Sequence, residues 1–182
     1  MKNDMKHSSA MIALCGLMGA LAVVIMLLAS FIAIGTYAGP VLAGIAFIPV
    51  VCDYGGGIAA ALYAVVSAIC LILIPDKESA VIFLFLGWYP AARAGFNRIK
   101  PKLLRLMAKL ISFNAAVFAA YWLMLNVFGM AELAGEYQSY SAGFLLLLVI
   151  LGNVTFVVYD LALSKLTPAY ILKIRPRLKK GG

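Results

Sequence analysis

Apolar residues run along this chain in six blocks, separated by short polar or glycine- and proline-rich stretches. The blocks cover about 10–34, 40–53, 57–75, 79–96, 106–128 and 141–164. A long apolar block with few charges reads as a helix crossing a bilayer. The second block is short for a crossing and is interrupted by Pro49, which predicts a tilted or kinked helix or a re-entrant segment. Gly35-Thr36-Tyr37-Ala38-Gly39-Pro40 and Asp53-Tyr54-Gly55-Gly56-Gly57 read as turns, and Pro75-Asp76-Lys77-Glu78-Ser79 as a compact polar loop. The fourth block carries Gly87-Trp88-Tyr89-Pro90 in its interior. The first block is longer than the ~7–15 residues of a signal-peptide core and reads as a retained span. No clear internal repeat is visible.

Composition agrees with the pattern. The chain has 182 residues, of which 65% are hydrophobic, and a mean hydropathy of +1.03. A soluble domain of this size cannot hide such an excess, so the solvent is largely lipid. The expected fold is an all-α integral membrane protein: one membrane domain, 1–182, folded as a six-helix bundle.

Charge then orients the bundle. The basic interior segment 93–109 holds Arg93, Arg98, Lys100, Lys102, Arg105 and Lys109. With six spans and a cytoplasmic N-terminus, this segment falls inside, together with Lys2, Lys6 and the basic residues from Lys165 to Lys180. Only Lys77 then falls outside, as the positive-inside rule requires. If the second block did not cross, segment 93–109 would face outside. The charge count therefore predicts that the block spans and that both termini are cytoplasmic. The net charge of +8 sits at segment ends, without the aromatic stacking positions of a nucleic-acid surface.

The side chains exclude most catalysis. His7 is the only histidine, and Cys15, Cys52 and Cys70 lie in apolar blocks without metal spacing. No nucleophile elbow, Walker loop, HExxH or paired carboxylates occur, so neither an enzyme, a metal site nor a cofactor is expected. Asp160 and Lys109 should lie at similar depth near the cytoplasmic side, where they can pair. Trp88, Tyr89, Tyr63, Asn114, Tyr121, Trp122, Asn126 and Asn153 fall within blocks. Such residues either wall a small-molecule pocket or bond helices to one another. Small residues Ala13, Gly16 and Ala20 recur at helical spacing in the first block and permit close approach of another helix, from the chain itself or from a partner.

Six short spans, cytoplasmic termini and Gly16-x-x-x-Ala20 on the first helix resemble the S component of energy-coupling factor (ECF) transporters, the vitamin-binding membrane subunit. Pro40 and Pro49 in the second span and Pro75-Asp76-Lys77-Glu78 before the fourth fit the same pattern. The family carries an Ala-x-x-x-Ala motif there, and the first position here is Gly. The resemblance implies a bacterial plasma-membrane protein that captures a vitamin or its precursor outside. It would release its ligand inside through a T component and two ABC-type ATPases. Ala13, Gly16 and Ala20 would then be docking residues. The implied pocket draws on Tyr37, Asp76, Lys77, Glu78, Trp88, Tyr121, Trp122, Asn126 and Tyr140. Four acids in the outer loops, Asp76, Glu78, Glu132 and Glu136, favour a cationic or neutral ligand over a multiply anionic one. The competing expectation is a six-helix assembly protein of the cell-shape kind, which binds other membrane proteins and no small ligand. A secondary transporter or channel fits less well, for want of deep ionisable residues.

Overall fold

The computed structural model describes residues 2–32, 34–127 and 140–176, with side chains from Ser8 onward. The described residues form α1 (Lys2–Ala29), α2 (Gly35–Ile45), α3 (Ile48–Tyr54), α4 (Gly56–Leu73), α5 (Lys77–Leu86), α6 (Tyr89–Phe96), α7 (Lys102–Asn126) and α8 (Ala142–Ala169). A π-helical turn, Tyr170–Ile174, extends α8. It follows Pro168, whose missing N–H cannot bond the Ser164 carbonyl in α-helical register. Together these helices make six spans long and apolar enough to cross a membrane. The protein is an all-α, multi-pass membrane protein.

The short second block does make a full span. α2 and α3 run in line over Gly35–Tyr54, 20 residues, about 30 Å at 1.5 Å per residue. Its length comes from the stretch that the glycines and proline mark as a turn. Gly35 to Pro40 is helical, and the turn lies upstream, at residues 30–32 and 34. Gly35 closes that turn by donating to the Ile32 carbonyl at 2.7 Å, and a Cβ there would collide with the Ala29 carbonyl. The Asp53–Gly57 turn shrinks to Gly55 alone, at φ 88°. Glycine enters that backbone region without a Cβ penalty.

A repeat emerges that the residue pattern hides. The second span breaks at Ala46-Phe47 and the fourth at Gly87-Trp88. Each lower half-helix restarts with proline in its first turn, Pro49 or Pro90. Ile45 and Leu86, Ile48 and Tyr89, and Pro49 and Pro90 are all separated by one common offset. The unit is a hairpin of one straight and one broken helix, used twice in tandem. Broken helices at matching positions of repeats mark the working part of many membrane carriers.

One core lies between α1, α2, α4 and α5, around Met26, Phe47, Val66 and Phe83. A second lies between α3, α6 and the later half of α8, around Ile48, Tyr89, Phe156, Leu163 and Tyr170. α5 and α7 share a third, with Val81, Ile82 and Met124. The upper halves α2 and α5 pack closely along their length, whereas the lower halves α3 and α6 diverge. The earlier half of α8, residues 142–151, has no buried residue.

Candidate functional site

The two ends of the bundle differ in charge. The end with Asp76 and Glu78 is here the acidic end, and the end with Arg98, Lys100, Lys102 and Arg105 the basic end. At the acidic end the loop before α5 is bonded down. Asp76 caps α5 by accepting from the Ser79 N–H at 3.2 Å, and its other oxygen accepts from the Thr36 hydroxyl at 2.8 Å. The Tyr37 hydroxyl donates to Glu78 at 3.0 Å. The first turns of α2 and α5 are thereby tied together. Lys77 turns the other way, and its ammonium donates to the Leu71 and Ile74 carbonyls at the end of α4, at 2.9 and 3.0 Å.

The remaining pocket candidates occupy three places. Trp88 sits at the break in the fourth span, with its indole N–H on the Phe85 carbonyl at 2.6 Å and its ring against Tyr89 and Phe96. Tyr121 packs inward with the α5–α7 core, while the adjacent Trp122 is 55% exposed. Asn126 and Tyr140 are exposed near the acidic end; the Asn126 amide donates to the Trp122 carbonyl and Tyr140 stacks on Phe144. The structure thus brings Tyr37, Asp76 and Glu78 together, and leaves Lys77, Trp88 and Tyr121 facing elsewhere. Glu132 and Glu136 lie outside the described residues. Asn114 and Asn153 each donate an amide N–H to the other's carbonyl oxygen, at 2.7 and 3.1 Å, joining α7 to α8. Amides in lipid are held by such mutual pairing.

The small residues of α1 divide between two faces. Gly19 turns inward, where a Cβ would meet Leu62 and Val66 at 3.2 and 3.3 Å. Ala13, Gly16 and Ala20 are exposed, and a Cβ on Gly16 would meet nothing within 4 Å.

The basic end holds the densest polar chemistry. Asp160 and Lys109 pair as expected, at 2.8 Å, and Lys109 is only 5% exposed. The carboxylate also accepts from Arg93 Nε at 2.7 Å and from the Tyr89 hydroxyl at 2.6 Å. Nearby, Asp53 accepts from the Tyr170 hydroxyl at 2.6 Å, and Arg175 Nε lies 2.6 Å from its other oxygen. These two clusters bind the later half of α8 to α3, α6 and α7. The sequence pattern missed Arg93, which counts there as part of a basic loop although it lies in α6. It also missed Asp53, which reads as a turn residue. The available signal was Arg93 one helical turn after Tyr89, with both able to reach one partner.

Between the clusters lies a cavity of about 150 Å³. Ile48 and Val51 of α3, Pro90 and Arg93 of α6, Asn97 beyond its end and Thr167 of α8 line it. Its position follows from the repeat: α3 and α6 diverge below their breaks, and α8 closes the gap only in part. The breaks themselves touch. A Cβ on Gly44 would lie 3.9 Å from the Gly87 Cα and 2.9 Å from the Tyr159 hydroxyl. Comparison with protein-family models, curated proteins and solved structures gives no match to this chain.

Proposed function

We propose that this chain is the substrate-binding S component of an ECF-type importer. The observation that carries the reading is the face of α1 that bears Ala13, Gly16 and Ala20. It is smooth, exposed and without close packing among the described residues, while Gly19, turned toward α4, does the internal packing. In lipid, where apolar contact with a neighbour replaces apolar contact with acyl chains, such a face favours close packing of a second helix. The partner in this reading is a T component with two ABC-type ATPases, in a bacterial plasma membrane with both termini cytoplasmic.

The captured ligand is a small vitamin-like molecule, held at the acidic end and released without chemical change. Tyr37, Asp76 and Glu78 form one wall. Trp122, Asn126 and Tyr140 stand exposed at the same end of α7 and α8 and supply the aromatic and amide contacts. Lys77, Trp88 and Tyr121 support the site from the end of α4, the break in the fourth span and the α5–α7 core. The acids give the site a preference for cationic or neutral ligands.

Gly16→Leu and Ala20→Leu test the docking role. Each should abolish co-purification of the T component and ATPases from native membranes, while saturable quenching of tryptophan fluorescence by the ligand persists. Loss of ligand binding together with docking would overturn the assignment of that face. Capture of wall-synthesis or cytoskeletal proteins without ATPases would instead favour the assembly role, with α1 as a permanent contact.

A further inference from the structure

The cavity at the basic end has no part in outer capture, and its chemistry is one-sided. Asp160 is the shared counter-ion of two cations, Arg93 and Lys109, and their side chains are only 15% and 6% exposed. Among the described residues, Asp53 is matched by Arg175 alone. The two clusters therefore hold three cations against two carboxylates, a surplus of one positive charge in a largely apolar setting. Such a charge calls for a counter-ion.

The hydrogen-bond count points the same way. Arg93 carries five N–H donors. Its Nε serves Asp160, and among the described residues Nη2 reaches only the Asp160 main-chain oxygen, at 3.4 Å. The carboxylate already accepts from Tyr89 and Lys109 as well, so little capacity is left there for the rest of the guanidinium. Arg93 lines the cavity together with the Asn97 amide and the Thr167 hydroxyl. The other walls, Ile48, Val51 and Pro90, are apolar, and the mouth lies beside exposed Ala94 and Asn97. Arg98 follows directly in sequence at the same end. An arginine fork with apolar walls at the basic end of a membrane bundle suits an amphiphile with an anionic oxygen group.

We propose that this cavity binds the phosphate of an anionic phospholipid, with Arg93 and Asn97 on the phosphate oxygens and the apolar wall against the start of the acyl chains. The bound phosphate would neutralise the surplus charge and wedge between α3, α6 and α8.

The test uses the full-length protein in nanodiscs of equal parts phosphatidylcholine and phosphatidylglycerol, released into native mass spectrometry. The expected result is preferential retention of phosphatidylglycerol. Ala94→Leu, which fills the mouth without touching an ion pair, and Asn97→Leu should each lower that preference about fivefold. Arg98→Gln, outside the cavity lining, should lower it less. Circular dichroism and size exclusion establish that each variant is folded, and the two cavity variants are independent of one another. Equal retention of both lipids by the wild-type protein would overturn the proposal. So would an equal loss in Arg98→Gln and Ala94→Leu, which would indicate general surface attraction. In phosphatidylcholine alone, added inorganic phosphate should leave the unfolding temperature unchanged. A rise in that temperature, lost in Ala94→Leu, would assign the site to a soluble anion instead of a lipid.

Discussion

Asp160 accepts from Tyr89, Arg93 and Lys109, and the arrangement is asymmetric. If Lys109 is replaced, Arg93 still neutralises the carboxylate. If Asp160 is replaced, two cations are left without their acid. Asp160→Asn should therefore cost about 3 kcal/mol of stability in thermal unfolding of the detergent-solubilised protein, the scale of breaking one side of a buried pair. Lys109→Met should cost less. An equal or larger cost for Lys109→Met would contradict the surplus of positive charge. At the other end, the Tyr37–Glu78 and Thr36–Asp76 bonds hold the first turn of α2. Tyr37→Phe should speed amide hydrogen exchange in that turn and leave α7 unchanged. Asp160 with Lys109 was legible from sequence because both charges interrupt apolar blocks. Arg93 was not, because a cation at the end of a block looks the same whether it is solvated or bonded.

Helices show where small residues matter. Gly19 faces Leu62 and Val66 closely, whereas Gly16 faces open space. Gly19→Leu should overpack the α1–α4 contact and destabilise the isolated protein by about 1–3 kcal/mol. Gly16→Leu should leave its unfolding temperature unchanged. Measuring both in the same detergent separates an internal contact from an outer face. At the paired breaks, Gly44→Ala would crowd the Tyr159 hydroxyl, so Tyr159→Phe should recover most of the lost unfolding temperature. No recovery would mean that the backbone approach to Gly87, and not the hydroxyl, sets the limit. Turn signals read poorly at this scale. Gly35 and Pro40 lie within α2, since a helix in lipid retains its internal bonds where water would let a glycine- and proline-rich stretch unwind.

For the whole molecule, an even number of spans returns the chain to the side from which it set out, and the positive-inside rule predicts that the basic end is the cytoplasmic one. Impermeant maleimide applied to intact cells should label Lys77→Cys above the wild-type background and should label Lys100→Cys only after the cells are opened. The reverse pattern would invert the bundle. The second core and the two clusters tie the basic half of α8 to the bundle, while residues 142–151 of α8 bury nothing. The earlier half of α8 is thus the less constrained part of that helix.

The sequence by itself determined the class, the number of spans and the shared depth of Asp160 and Lys109. Each of these follows from how far a segment can run without a charge in a medium that cannot solvate one. It also showed small residues on α1, without showing which of them the bundle uses. Only the tertiary structure decided that, because adjacent positions such as Gly19 and Ala20 point about 100° apart around the helix and a neighbour covers one of them alone. The tandem repeat, the bonds of Asp53 to the end of α8 and the basic-end cavity were likewise decided by packing. They join residues far apart in the chain, and nothing in the local apolar pattern records which distant helix a polar side chain will meet.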